Sequence, residues 1–312
     1  MGKHVVVGAG PVGSATARLL AERGEEVVVV TRTAASAVPL EGVRRRQLDA
    51  SDAQALGEAV EGAEVLYNCA NPPYHRWPEV WPPLAAALLT AAERSGAVLA
   101  TVSNLYGYGA VDGPMSPETP LRPVDPKGEV RAAMWREALA AHRAGRVRAT
   151  EVRGSDYLAA NAAGVLDGRA FSRALAGRTV QVLGDPDAPH SWTAPQDVAR
   201  LLVAVGADER AWGRAWHVPS NPPRSQRQVI AELCAAADRP AAKVARIPRP
   251  VLALLGLANP TIRSARGTAY QFERPFVIDD TATRETFGLA PTPWEEMLAQ
   301  VVAAYPKGQG RV

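Results

Sequence analysis

The chain has little that would hold a fold together from outside its own core. Its 312 residues include two cysteines, Cys69 and Cys234, far apart in sequence and without metal-ligand spacing. No disulfide framework and no metal site is expected, and a reducing compartment, the cytoplasm, fits. Long apolar runs are missing too. The longest, Leu84–Leu89 and Val251–Leu257, are too short to span a bilayer, so a membrane is not an expected partner. Met1–Val5 leads straight into a strand pattern with no leader-type apolar stretch. H-E-x-x-H and G-x-S-x-G are both absent, which leaves metalloprotease and α/β-hydrolase chemistry without support. Neither sign of charge dominates: the net charge is +3, and the arginines are spread along the chain rather than gathered into a nucleic-acid footprint. What is present, 47% apolar and 21% charged residues, is the balance of a globular protein.

Strand and helix patterns alternate over the first half, predicting an α/β fold with a doubly wound parallel sheet. Strands are expected at Val5–Val7, Val27–Val30, Val43–Leu48, Val65–Cys69, Val98–Val102 and Val147–Val152. Helices are expected at Ser14–Arg23, Ala53–Val60, Leu84–Arg94 and Arg131–Arg143, the third entered through Pro82 and Pro83. Past Arg153 the alternation loosens, with helices read at Phe171–Leu175 and Gln226–Ala237. Residues 1–155 read as a Rossmann domain that is rejoined by a return segment near 190–218. Residues 156–189 and 219–312 read as a smaller substrate lobe.

The most informative stretch is Gly8-Ala9-Gly10-Pro11-Val12-Gly13, set between a strand and a helix. Gly8 permits the tight turn, Gly10 lets the backbone approach a pyrophosphate, and Gly13 lets the helix pack closely on the strand. The phosphates then meet the positive end of the helix, at the N–H groups around Pro11 and Val12. Enzymes that use NAD place an acid near the end of the second strand to hold the ribose hydroxyls. This chain has Thr31-Arg32-Thr33 there, with no acid, and the planar fork of Arg32 suits a 2′-phosphate. NADP is therefore expected ahead of NAD. The run Arg44-Arg45-Arg46 reads as protection of an edge strand.

Further segments carry a family resemblance. Gln47–Asp52, Tyr67-Asn68-Cys69-Ala70-Asn71, Ser103-Asn104-Leu105-Tyr106-Gly107-Tyr108-Gly109, Arg153–Tyr157, and His190-Ser191-Trp192 with Asp197-Val198-Ala199 together resemble the extended short-chain dehydrogenase/reductase family, also called the NAD-dependent epimerase/dehydratase family. The resemblance implies that Asp49 meets the adenine, that Ala70, Asn71 and Ser103 pass beside the cofactor, and that Tyr157 and Trp192 lie toward the substrate. The family often pairs through a helical interface, which leaves a homodimer open. Its usual Tyr-x-x-x-Lys is absent. The best-matching segment, Lys127-Gly128-Glu129-Val130-Arg131, puts Lys127 in the tyrosine slot and Arg131 in the lysine slot, and Asn104 falls in the serine/threonine slot. Residues four apart share a helix face, so Lys127 and Arg131 can address one site. Lys127 would then act as general acid and Asn104 would bind the carbonyl oxygen. Tyr108 is a further candidate phenol.

Tyr74, His75 and Trp77 follow the fourth strand, where loops at strand C-termini line the ligand crevice, and they are candidate substrate contacts. The expected function is NADP(H)-dependent reduction of a carbonyl, or oxidation of an alcohol, in a small organic metabolite. Two other readings stay open: an epimerase or dehydratase that uses bound NAD(P) transiently, and a catalytically silent NADP-sensing or partner-binding protein.

Overall fold

The computed structural model describes residues 2–33, 41–160, 162, 164–166 and 168–305. The strands are β1 (Lys3–Val7), β2 (Glu26–Thr31), β3 (Val43–Gln47), β4 (Ala63–Asn68), β5 (Val98–Asn104), β6 (Arg148–Gly154), β7 (Asp156–Tyr157), β8 (Val180–Val182), β9 (Trp192–Thr193), β10 (Ala215–His217) and β11 (Val244–Arg246). The helices are α1 (Pro11–Glu22), α2 (Ala53–Val60), α3 (Trp77–Ser95), α4 (Pro126–Arg143), α5 (Gly168–Leu175), α6 (Pro195–Ala207), α7 (Gln226–Ala236), α8 (Arg249–Ala258), α9 (Pro260–Ala265), α10 (Thr281–Phe287) and α11 (Trp294–Ala304).

Seven strands form one parallel sheet in the order β10-β6-β5-β4-β1-β2-β3, a Rossmann-like α/β fold. Because the inner strands are covered on both faces, they are apolar at every position rather than at alternate ones. Val5, Val7, Val28, Val30, Leu66 and Leu99 pack toward α2 and α3. Val6, Val27, Val29, Val65 and Tyr67 pack toward α1 and α6. Edge strand β3 carries the arginine run, where Arg44 pairs with Glu26 and Arg46 with Glu58 at 3.0 Å.

Local chemistry sets the helix starts. Asp52 caps α2 by accepting from the N–H groups of Gln54 and Ala55 at 3.0 and 3.1 Å. Ser225 and Gln228 close a capping box on α7. The exception is α3, which begins at Trp77 and keeps Pro82 and Pro83 inside its second turn rather than before its first. Two ladder hydrogen bonds are lost there. Trp77, Trp81, Leu84, Leu88 and Ala91 lie on one buried stripe, and its burial outweighs that loss.

A separate buried cluster gathers Phe171, Trp192, Val229, Leu233, Trp294 and Met297. His190 lies next to it. Its Nε2 faces the Asp156 carboxylate at 3.0 Å and its Nδ1 faces the carbonyl of Gln271 at 3.3 Å, with the rings of Phe272 and Phe276 stacked on it.

Candidate active site

The strand order reverses between β1 and β4, the switch point beside which open α/β sheets bind their ligands. The turn after β1 is built for close approach. Gly8 has φ +102°, a conformation that L side chains rarely adopt, and a Cβ on it would lie 2.6 Å from the carbonyl oxygen of Cys69. A Cβ on Gly13 would overlap the Gly8 carbonyl, so this glycine fixes α1 against the turn. A Cβ on Gly10, by contrast, would meet nothing within 4 Å. Gly10 caps α1 without a side-chain bond, and the helical ladder first closes with the Ser14 N–H on Gly10 O at 2.9 Å. The N–H groups of Val12 and Gly13 therefore have no partner within the helix. With Pro11 at the first helical position, this is an open cradle for an anionic pyrophosphate, and it fits a dinucleotide. Ser103 Oγ, buried and without a partner among the described residues, is one more polar atom left for such a ligand.

The residues expected to flank the cradle have the following surroundings. Thr31 ends β2, and Arg32 follows it, exposed, with its carbonyl accepting from Gln47 Nε2 at 3.1 Å. Asp49 Oδ1 takes the N–H and O–H of Ser51 at 3.0 and 2.7 Å. These bonds, the backbone one first, hold its carboxyl below the usual range, and the charge of Arg32 adds to them. Ala70 donates its N–H to Asn68 Oδ1 at 3.3 Å, and Asn71 is exposed beside it.

A buried cluster lies at the C-terminal edge of β4 and β5. Asp125 caps α4 by accepting from the Gly128 N–H at 2.7 Å, and Pro126 takes the first helical position. Lys127 comes next and is 3% exposed. Its Nζ lies 3.3 Å from Asp125 Oδ2 and donates to Ser264 O at 2.7 Å and Ser264 Oγ at 3.2 Å. The same ammonium sits 4.8 Å from the centre of the Tyr74 ring. The Tyr74 hydroxyl donates to Tyr106 Oη at 3.3 Å and pairs with Thr268 Oγ1 at 2.9 Å. Burial pushes the Tyr74 phenol up to about 12, against the opposing pull of its bonds to Thr268 and Tyr106. The Tyr106 phenol is also raised well above its usual value, first by burial and then by Tyr74. Both phenols hold their protons at neutral pH. Asn104 spends Oδ1 on the Tyr106 N–H at 3.1 Å, while its Nδ2 donates to no described residue.

The two cations of α4 take different surroundings. Arg131 lies against Trp77 and Trp81, its guanidinium 4.5 and 4.3 Å from their ring centres, and donates to Val102 O at 3.3 Å. Burial lowers it to about 10, and its Nε has no partner among the described residues. Tyr108 is not brought to the Lys127 cluster. Its hydroxyl lies 2.7 Å from His217 Nε2 and accepts from Arg153 at 2.6 Å, inside a buried network with Glu151. Burial pushes this phenol up to about 12 and holds His217 down to about 4, with the charge of Arg153 also opposing protonation of the imidazole.

Of the expected substrate contacts, Tyr74 enters the cluster and Trp77 packs beneath it with Nε1 on Pro72 O at 3.1 Å. His75 is exposed. Tyr157 is half-buried, its phenol raised by burial. Trp192 is buried among Phe171, Val229 and Trp294, its Nε1 donating to Arg224 O at 2.8 Å. Sequence reading missed Asp125, Ser264 and Thr268. The Asp-Pro start of α4 was a legible signal for Asp125. Nothing local marks the other two, which arrive from 137 or more positions away along the chain. Among the described residues no cluster of His, Cys, Asp and Glu could hold a metal ion, and no helix is long and apolar enough to cross a membrane.

The family model of the NAD dependent epimerase/dehydratase family matches residues 4–218. No curated protein sequence matches the chain. Three solved structures illustrate the likeness of fold. A dTDP-glucose 4,6-dehydratase from Bacillus anthracis in complex with NAD has 16% identity and a TM-score of 0.80, over 99% of this chain and 98% of that one. A UDP-glucose 4-epimerase from Thermotoga maritima with UDP-glucose has 16% identity and a TM-score of 0.78, over 97% and 98%. The Bordetella bronchiseptica enzyme WbmH in complex with NAD+ has 17% identity and a TM-score of 0.75, over 98% of each chain.

Proposed function

This chain belongs to the NAD-dependent epimerase/dehydratase family, and from that premise we propose that it is an NADP(H)-preferring oxidoreductase acting on a carbonyl or alcohol of a small organic metabolite. Gly8, Gly10 and Gly13, with the free N–H groups at the start of α1, would hold the pyrophosphate. Arg32 would hold the 2′-phosphate, and Asp49, Ala70, Asn71 and Ser103 would line the remainder. When bound, the nicotinamide supplies or accepts the hydride.

The chain's own part is to orient the substrate and to move a proton. The observation that carries the reading is the buried contact of the Lys127 ammonium with the Tyr74 ring, beside the paired hydroxyls of Tyr74 and Tyr106. Lys127 Nζ is the proton donor in this proposal, and the spare Nδ2 of Asn104 donates to the carbonyl oxygen. Arg131, held by Trp77 and Trp81, keeps α4 in place, and its Nε, without a partner among the described residues, is a donor left for the ligand. Steady NADPH consumption on a panel of aldehydes and ketones, lost in Lys127→Met, is the expected result. Cofactor binding with no turnover on any carbonyl class would overturn it.

A silent, NADP-sensing protein is the second reading. It draws on the fact that Ser264 O, Ser264 Oγ and Asp125 already occupy the Lys127 ammonium. It predicts dinucleotide binding that changes a partner's affinity without turnover. Epimerase or dehydratase chemistry, the activity named for two of the similar structures, predicts product without net NADPH consumption in the same assay.

A further inference from the structure

One of the two longest apolar runs in the sequence is only partly buried. In α8, Val251, Leu254 and Leu255 are 43%, 68% and 45% exposed, and Leu257 beside them is 77% exposed. Val251, Leu254, Leu255 and Ala258 recur at the spacing of one helical face. The opposite face is spent inside the fold: Gly256 is buried, and a Cβ on it would lie 3.3 Å from Cα of Arg263 in α9. The outward face is thus apolar where an ordinary surface helix is polar.

The sequence on either side of α8 is basic. From Arg239 to Phe272 the chain has six basic residues, Arg239, Lys243, Arg246, Arg249, Arg263 and Arg266, and no acidic one. All six are exposed. Glu273 takes Arg246 and Arg249 in ion pairs of 3.3 and 2.8 Å, which leaves the others to set the local field. A second copy of the chain fits this face poorly, because a two-fold contact would set basic flank against basic flank. An anionic bilayer satisfies both features, taking up leucines below its headgroups and attracting arginine and lysine at its surface.

We propose that the outward face of α8 docks this protein on anionic membrane surfaces, as a peripheral and not a spanning contact. The hairpin of α8 and α9 also closes over the candidate site: Ser264 of α9 holds Lys127, and α9 packs on the turn Tyr74–Arg76. Docking would therefore bring the hairpin that covers Lys127 to the lipid interface. The proposal does not rest on the redox reading, because its readout needs no cofactor.

The test is co-sedimentation of the full chain with phosphatidylcholine vesicles, with and without phosphatidylglycerol, at low and high salt, for wild type and Leu254→Asp/Leu255→Asp. Both substituted residues are exposed, so the unfolding midpoint serves as the folding control and is expected to hold. The expected result is binding to the phosphatidylglycerol vesicles only, weakened by salt and reduced roughly a hundredfold in the variant. A second variant, Lys243→Glu/Arg263→Glu, is expected to lose the preference for anionic lipid. Absence of binding, or equal binding to both vesicle types, would overturn the proposal. So would a concentration-dependent dimer, seen by ultracentrifugation and lost in Leu254→Asp/Leu255→Asp, which would assign the face to a second copy.

Discussion

The Lys127–Asp125 pair makes a prediction that separates folding from chemistry. Both side chains are almost fully buried, at 4% and 3% exposure. Replacing Lys127 by Met keeps the volume but leaves the Asp125 carboxylate buried with only the Gly128 N–H for company. Removing one partner of a buried pair typically costs about 3–5 kcal/mol, most of it the stranded charge. Asp125→Asn in the same chain removes that charge and keeps the helix cap, since asparagine caps as well as aspartate. Lys127→Met/Asp125→Asn is therefore expected to return to within about 1.5 kcal/mol of wild type, so the double variant costs much less than the sum of the two single ones in a double-mutant cycle. Urea unfolding at pH 7 measures it, and NADPH turnover on the same four proteins measures the chemistry. The account expects the double variant to be stable and inactive. A single Lys127→Met as stable as wild type would refute the electrostatic argument, and a double variant with full turnover would refute the catalytic one.

Three more outcomes follow from the same geometry. Gly13→Ala overpacks the β1–α1 turn, so it is expected to lose about 1–3 kcal/mol of stability along with dinucleotide affinity. Gly10→Ala has room for its methyl group and is expected to keep stability while losing affinity, and calorimetric titration beside urea unfolding tells the two apart. His217, held near 4 against about 6.5 in the unfolded chain, stays neutral in the fold. The unfolded state then binds the extra proton, so stability is fully present above pH 6.5, falls as pH drops toward 4, and loses about 3 kcal/mol in all. Unfolding of wild type and His217→Asn at pH 7, 5.5 and 4.5 checks this, and equal slopes would contradict it.

The sequence disclosed what short-range physics determines. The strand, the three glycines and the helix behind them are one continuous segment whose spacing is set by the turn itself, and its ends were read to within three residues. The buried valines of β2 were legible for the same reason, since a strand covered on both faces is apolar throughout. The start of α3 was misread because Pro82 and Pro83 act locally as helix openers, whereas the stripe from Trp77 to Ala91 is fixed by tertiary burial. The slots of Lys127 and Arg131 placed both residues on one buried helix face, but the partners that define their chemistry, Ser264 and the two tryptophans, come from other elements. Such pairings are set by topology and leave no trace in local spacing.

The central claim is that the cradle at the start of α1 binds NADP(H) and that Arg32 selects it over NAD(H). Calorimetric titration of the purified protein with NADPH and NADH, on wild type and Arg32→Ala, tests it most directly. The account predicts tighter binding of NADPH to wild type, with the preference removed in Arg32→Ala and NADH affinity unchanged. A preference for NADH in wild type, or a cofactor-free protein that binds neither nucleotide, would contradict it.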